Sequence, residues 1–263
     1  MTLDSLIIEK NSGSPGVVVV TLNRPQVLNA IDTATWNDLF TRLRALAFDD
    51  ELRCLVFVGA GPRAFCAGGD LKERNGMSDR AWALQHQLIE DVLLAIRDFP
   101  CPSIAAVHGI AHGGGFELAL MCDFIIADQS ADFALPETRR GFLPGGGGPQ
   151  NLLRSAGLRR AKQLLFTGGR IDAQKAFDWG VVNEVVPVGQ HLERSLVLAG
   201  EIAAAAPLAV RAAKQALQHG ADTDFRTGYA LDLALHNLLV RTEDRREGIL
   251  AFNEKRPARW SGR

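Results

Sequence analysis

The chain has few of the residues that mark a secreted, membrane-spanning or nucleic-acid-binding protein. Only four of its 263 residues are cysteine: Cys54, Cys66, Cys101 and Cys122. They lie far apart without a CxxC pair, each in an apolar or alanine-rich stretch, which is the pattern of reduced, buried thiols and not of a disulfide framework. No window approaches the roughly 18 uninterrupted apolar residues of a membrane helix. The opening MTLDSLIIEKNSGSPG has no basic segment leading into a long apolar one, so secretion is not expected either and a cytoplasmic location is the default. A single tyrosine and the absence of a polar tract argue against a disordered or prion-like chain. Lys and Arg are scattered and the net charge is −1, so no basic face for a phosphate backbone is legible and nucleic acid is not an expected partner. What the chain does hold is 47% hydrophobic residues, enough to bury the core of one large domain, or of one domain with a small appendage.

Apolar periodicity gives a strand–helix–strand rhythm. Val17 to Leu22 is a β-branched run closed by the turn Asn23-Arg24-Pro25 and reads as a buried strand. Asp32 or Thr33 is placed to cap a helix through Leu46, with Trp36, Leu39, Phe40, Leu43 and Leu46 at helical spacing. Cys54 to Gly59 reads as a second buried strand, Ala81 to Ile96 as an amphipathic helix and Pro102 to His108 as a third strand. Three glycines then open a helix from Phe116 to Met121, and Phe124 to Ala127 is strand again. Pro149 suits a first helical position, so a helix is expected from about Gln150. Gly168 and Gly169 end the next one. From about Ala199 the chain reads as helical, with segments Leu208–His219, Phe225–Val240 and Thr242–Phe252. Such alternation favours an α/β crossover architecture over an all-β one.

Two glycine-flanked segments are candidate backbone donors. In Ala64-Phe65-Cys66-Ala67-Gly68-Gly69-Asp70-Leu71-Lys72-Glu73 and in His112-Gly113-Gly114-Gly115-Phe116-Glu117 a strand passes into a helix through small residues. First-turn N–H groups are unpaired there and the helix dipole favours negative charge, so a pair of such turns is able to hold an oxyanion. The plainer reading is that glycine merely lets the backbone turn or approach closely. Glu117, in the first turn of the second helix, and Glu137, after Pro136, add two carboxylates suited to proton transfer beside an enolate. Each also has a plainer role: Glu117 as a helix-dipole partner, Glu137 as a loop carboxylate or ion-pair partner of Arg139 or Arg140.

Four ordered stretches resemble the enoyl-CoA hydratase/isomerase (crotonase) family: AFCAGGDLKE at 64–73, AAVHGIAHGGGFELALMCDFIIAD at 105–128, FALPETRRGFLPGGGGPQ at 133–150 and EDRREGILAFNEKR at 243–256. The resemblance runs from about Val17 to the C-terminus. It implies an α/β, crotonase-like repeated ββα superhelix over 1–198 that carries the active site, and a helical C-terminal region over 199–263 for cover and trimerisation. It further implies an acyl-CoA thioester as substrate, a homotrimer or dimer of trimers, a place in fatty-acid metabolism, and no cofactor beyond the coenzyme A of the substrate. By that likeness the N–H groups of Ala67 and Gly114 form the oxyanion hole, and Ala67, Gly68, Gly69, Asp70 and Leu71 line the thioester and pantetheine. Glu117 and Glu137 are then the catalytic pair, and Gln26, Leu28, Phe252 and Lys255 are positions for contacts to CoA. Hydratases of the family have glutamate at both sites, as this chain does, so the expected reaction is addition of water to a 2-enoyl-CoA; an isomerase or dehydratase on a specialised acyl-CoA is the alternative.

The chain also departs from the family pattern. Where PGxGGTQR is usual, it has Pro144-Gly145-Gly146-Gly147-Gly148-Pro149-Gln150-Asn151, so the helix there must be capped differently. His112 stands at a position that is often apolar, Phe116 where a smaller residue is common, and Gln26 in place of a frequent lysine. The first two bear on acyl-chain preference. His108 and His112 are four apart, but the intervening Gly109 argues for a strand end and loop, and no third ligand stands at a metal spacing. Asp70, Lys72 and Glu73 read as a helix start with solvated charges. The Gly145–Gly148 run matches neither a P-loop nor a dinucleotide fingerprint.

Overall fold

A computed structural model describes residues 4–263. The chain enters through an antiparallel pair, β1 (Leu6–Lys10) and β2 (Val17–Leu22), and then helix α1 (Thr33–Leu46). Asp32 settles where α1 begins, because its carboxylate accepts from the Thr35 N–H at 2.9 Å. Three strand–strand–helix turns follow. The first is β3 (Cys54–Gly59), β4 (Ala64–Cys66), a single-turn helix α2 (Leu71–Arg74) and α3 (Asp79–Arg97). The second is β5 (Ser103–Val107), β6 (Ile110–His112) and α4 (Gly114–Met121). The third is β7 (Phe124–Asp128), β8 (Asp132–Ala134), a 3-10 turn over Pro136–Arg140 and α5 (Gly148–Ala156). After these come α6 (Leu158–Thr167), β9 (Arg170–Asp172), α7 (Ala173–Asp178), β10 (Glu184–Val186) and the helices α8 (His191–Ala203), α9 (Pro207–Gly220), α10 (Phe225–Leu239) and α11 (Glu243–Glu254).

Alternate strands feed two sheets. One has the order β1-β2-β3-β5-β7-β10, parallel apart from β1; the other has the order β4-β6-β8-β9, parallel apart from β9. This is the repeated ββα superhelix. β3 and β5 are buried along their whole length, as parallel strands covered on both faces must be. One face packs into the main core with Trp36, Leu39, Leu93, Phe65 and Phe133. The other, with Val56, Ile104 and Ile126, packs against α8 through Ala199.

Short elements account for most differences from the sequence expectations. β4, β6, β8 and β9 are three residues each, too few to show a period, and β1 was not anticipated. α3 begins at Asp79 instead of Ala81 because the Ser78 hydroxyl accepts from the Ala81 N–H at 3.2 Å. α4 begins inside the glycine run at Gly114 instead of Phe116, and α5 at Gly148 instead of Gln150, with Pro149 second in the helix.

The break drawn at 198/199 falls within α8, whose inner residues Ser195 and Ala199 are buried on the sheet. The chain leaves the core only after Ala203. α9 is tied back by Lys214, whose ammonium donates to the Asp123 carboxylate at 2.8 Å and to the Cys101 carbonyl at 3.2 Å. The C-terminal tail folds along α11, with Trp260 Nε1 donating to the Ala204 carbonyl at 2.8 Å. Among the described residues no single helix is long and apolar enough to cross a membrane. All four cysteines are free; Cys54, Cys66 and Cys101 are buried and Cys122 is half-buried.

Candidate active site

Two glycine loops, at the ends of β4 and β6, meet side by side. Gly68 and Gly113 both adopt positive φ, at 97° and 53°. A Cβ on Gly68 would press on the His112 carbonyl and the Gly114 nitrogen, and one on Gly113 would press on Glu137 Oε1. Glycine is therefore required for close approach as well as for turning.

Which N–H groups remain free is decided by a strap, residues 24–31, that lies along 67–70. The Ala67 N–H donates to the Leu28 carbonyl at 2.9 Å, Ile31 N–H to the Gly68 carbonyl at 2.8 Å, and Asp70 N–H to the Ile31 carbonyl at 3.0 Å. The Ala67 N–H is thus consumed, which corrects its expected place as an oxyanion donor. The Gly69 N–H lies between these bonds without an acceptor among the described residues, facing Gly114: a Cβ built on Gly114 would sit 3.6 Å from the Gly69 nitrogen. Gly114, first residue of α4, also has no backbone acceptor for its N–H. The strap itself is forced into shape. Leu28 and Asn29 carry φ of 57° and 55°, a conformation unfavourable for leucine and better tolerated by asparagine. The buried Asn29 side chain holds them, accepting from the Arg24 N–H at 3.0 Å and donating to the Ala60 and Ala64 carbonyls at 3.0 and 2.8 Å.

Both glutamates are buried against these loops, at 4% exposure for Glu117 and 7% for Glu137. Glu117 Oε1 accepts from the N–H groups of Gly146 and Gly148 at 2.7 and 3.0 Å. This is the different cap that α5 needed: its N-cap Gly147 offers no side chain, and the carboxylate comes from α4. Burial pushes the Glu117 carboxyl up to about 7, with the Glu137 charge adding to the rise and the two N–H donors opposing it. Burial also raises Glu137, opposed by Arg140 and Arg74. Glu137 Oε2 is buried without a hydrogen-bond partner among the described residues, and its carboxylate forms no ion pair with Arg139 or Arg140. An orphaned oxygen of this kind in a cleft marks a group waiting for a ligand.

Glu117, Glu137, Gly69 and Gly114 face one cavity of about 520 Å³, lined also by Leu28, Ala67, Gly68 and Leu71. Asp70 does not line it: its carboxylate accepts from the Lys72 N–H, starting α2, and pairs with Arg24 at 3.2 Å. Gln26, Phe252 and Lys255 are exposed away from the cavity of their own chain. Glu73 is not solvated; it accepts from the Thr33 N–H and from Gln85 Nε2, at 3.0 and 2.9 Å. Phe116 points away from the cavity, fully buried against Phe133 with ring centroids 5.0 Å apart, so it does not shape the acyl site. His112 does line it, bonded to Asp132 at 3.2 Å, and burial lowers its pKa. His108 is elsewhere, its Nε2 donating to the Gly61 carbonyl at 2.7 Å and its ring stacked on His191. Burial pushes the Cys66 thiol up to about 12, so the cysteine beside the site is no nucleophile. Sequence reading missed Arg74, Trp82 and His86, which also line the cavity; Trp82 and His86 come from α3, and nothing in local spacing turns them toward the loops.

Two sheets wound as ββα turns, with free N–H groups at the two loop ends and buried carboxylates opposite, define a protein of the crotonase class. The chain belongs to the enoyl-CoA hydratase/isomerase family, whose model matches residues 12–263. It is 41% identical over 252 residues to the mouse mitochondrial enoyl-CoA hydratase domain-containing protein 2, covering 94% of this chain and 85% of that one. It is 39% identical to the mouse mitochondrial methylglutaconyl-CoA hydratase, covering 94% and 80%. The crystal structure of an enoyl-CoA hydratase from Bacillus anthracis superposes with a TM-score of 0.96 at 39% identity, covering 99% of this chain and 100% of the other.

Proposed function

We propose that the protein adds water across the 2,3 double bond of a 2-enoyl-CoA thioester to give a 3-hydroxyacyl-CoA. The observation that carries this reading is the joint placement of two buried, upshifted carboxylates and two free N–H groups on one cavity. The thioester oxygen accepts from the Gly69 and Gly114 N–H groups, which stabilise the negative charge that develops there as an enolate forms. Glu117, whose anion is favoured by two N–H donors, takes a proton from a water held between the carboxylates. The water oxygen bonds to Cβ. Glu137, whose orphaned oxygen favours the protonated form, gives its proton to Cα as the enolate collapses. Passing one proton from Glu117 to Glu137 restores the starting state, so protons balance over the cycle. An isomerase moves a proton along the acyl chain without fixing water and has no need of a second carboxylate. Coenzyme A enters as part of the substrate.

The test is loss of the conjugated-thioester absorbance with short-chain 2-enoyl-CoAs. Glu137→Gln and Glu117→Gln each keep the side-chain shape and should lower kcat by roughly 10²–10⁴-fold with folding retained. A fully active variant at either position removes that residue from the mechanism. We further propose that the chain works in the cytoplasm as a homotrimer or dimer of trimers; the exposed apolar residues Phe225, Tyr229 and Leu233 on α10 support the assembly.

A further inference from the structure

One cation in the cavity has no carboxylate partner among the described residues. Arg74, the last residue of α2, lines the cavity and is half-buried. Its Nε donates to Gln85 Oε1 at 2.7 Å, and its guanidinium lies 4.5 Å from the centroid of the Trp82 ring. Gln85 is itself buried and fixed, donating to the Thr33 hydroxyl at 2.7 Å and to Glu73 at 2.9 Å. The fork is therefore aimed by a network and by stacking, and its entropy is already reduced. Neither Nη has an acceptor within hydrogen-bond distance among the described residues, and Arg74 forms no ion pair there. The other basic groups on this cavity are engaged: Arg170 with Asp132 at 3.1 Å, His112 with the same carboxylate, His86 with Glu90 at 3.4 Å, and Arg140 with the Pro136 carbonyl at 3.3 Å. Arg74 is also close to the reacting end. A Cβ built on Gly69, whose N–H faces Gly114, would lie 3.4 Å from the Arg74 guanidinium carbon.

On the hydratase reading, we infer that Arg74 is a specificity-determining residue that binds a carboxylate at the far end of a short acyl chain, so that the substrate is the CoA monothioester of an unsaturated dicarboxylic acid. A planar fork with two free Nη groups matches a carboxylate in bidentate geometry. Its nearness to Gly69 limits the acyl group to a few carbons between thioester and carboxylate. An unpaired guanidinium beside aromatic walls is a poor surface for an alkyl tail, since an apolar chain would leave the cation desolvated without an acceptor.

The competing role is that Arg74 only balances the charge of Glu117 and Glu137. The two separate on paired substrates: glutaconyl-CoA with a free terminal carboxylate, and the neutral 2-pentenoyl-CoA of the same carbon count. The native protein should favour glutaconyl-CoA in kcat/KM, and Arg74→Met should cut that preference by roughly 10²-fold, mainly through KM. Arg74→Lys should recover part of it, keeping the charge without the fork. Equal or better use of 2-pentenoyl-CoA by the native protein would overturn the inference, as would an Arg74→Met defect of equal size on both substrates with a shifted pH profile. Binding of the saturated pair, glutaryl-CoA and pentanoyl-CoA, keeps the two readings apart. Tighter binding of glutaryl-CoA that Arg74→Met abolishes upholds the carboxylate site even if no hydration is seen; turnover of 2-pentenoyl-CoA alone upholds hydration and removes the site.

Discussion

Two carboxylates buried on one cavity hold their charges at a cost, and the protein resolves it by giving them different company. Glu117 has two N–H donors; Glu137 has a bare oxygen. Burial raises both carboxyls, and hydration needs the pair to hold one proton between them. Activity should therefore fall toward acid pH, with a limb near the Glu117 value of about 7. Because the Glu137 charge is one of the causes that raise Glu117, the residual activity of Glu137→Gln should show its acid limb at lower pH. An unmoved limb would mean that the two groups do not interact. The same shift bears on stability. A carboxyl raised from 4.5 to about 7 favours folding fully below its unfolded pKa, and that contribution is lost as pH rises through its folded value. Glu117→Gln should flatten the stability curve across that window. The glutamates were legible in the sequence as candidates, each with a plainer role open to it, and it is the family resemblance that pairs them. The oxyanion donor was not: whether Ala67 or Gly69 keeps a free N–H depends on the strap at 24–31, some forty residues away, and on no property of either residue.

At the scale of elements, the site depends on how closely α4 lies on β4. Gly115 is the contact: a Cβ there would overlap the Cys66 carbonyl, which is backbone and has no room to rotate aside. Gly115→Ala should push α4 away and carry the Gly114 N–H and Glu117 with it. The expected cost is about 1–3 kcal/mol of stability and a loss in kcat of roughly 10²-fold, because displacements of an ångström are felt at that level. Thermal unfolding and turnover measured on one preparation check both; a stable variant of native activity would show that the two elements have slack. Long elements such as α1, β3 and α3 were readable because each carries several turns or a full buried run. The second sheet was not, since three-residue strands are made by their neighbours' hydrogen bonds and their sequences, such as Ala64-Phe65-Cys66, show no alternation. α5 was placed two residues late for a related reason: its first N–H groups are satisfied by a side chain from α4, a contact that local sequence does not contain.

For the whole molecule, the C-terminal helices present apolar surface that one copy does not use. α10 buries none of its residues. Phe225, Tyr229 and Leu233 are spaced four apart on one side and remain 83%, 51% and 44% exposed, with the first two rings stacked. An exposed stripe of that kind supports the proposed assembly, and a net charge of −1 places little repulsion between copies. Phe252, on α11, is 83% exposed and does not line its own cavity, so an assembly is also the way for it to serve the CoA end of a site. Tyr229→Glu combined with Leu233→Glu should leave the single chain folded, since neither side chain is buried in it, and should shift the mass in sedimentation equilibrium from a multiple of three chains to one. If Phe252 and Lys255 act on a neighbour's substrate, the dissociated variant should also show a raised KM with a smaller change in kcat, because CoA binding is lost while the glutamates and loops stay within one chain. A variant that still sediments as a trimer would place the interface off α10; one that dissociates without any change in KM would leave each chain a complete site.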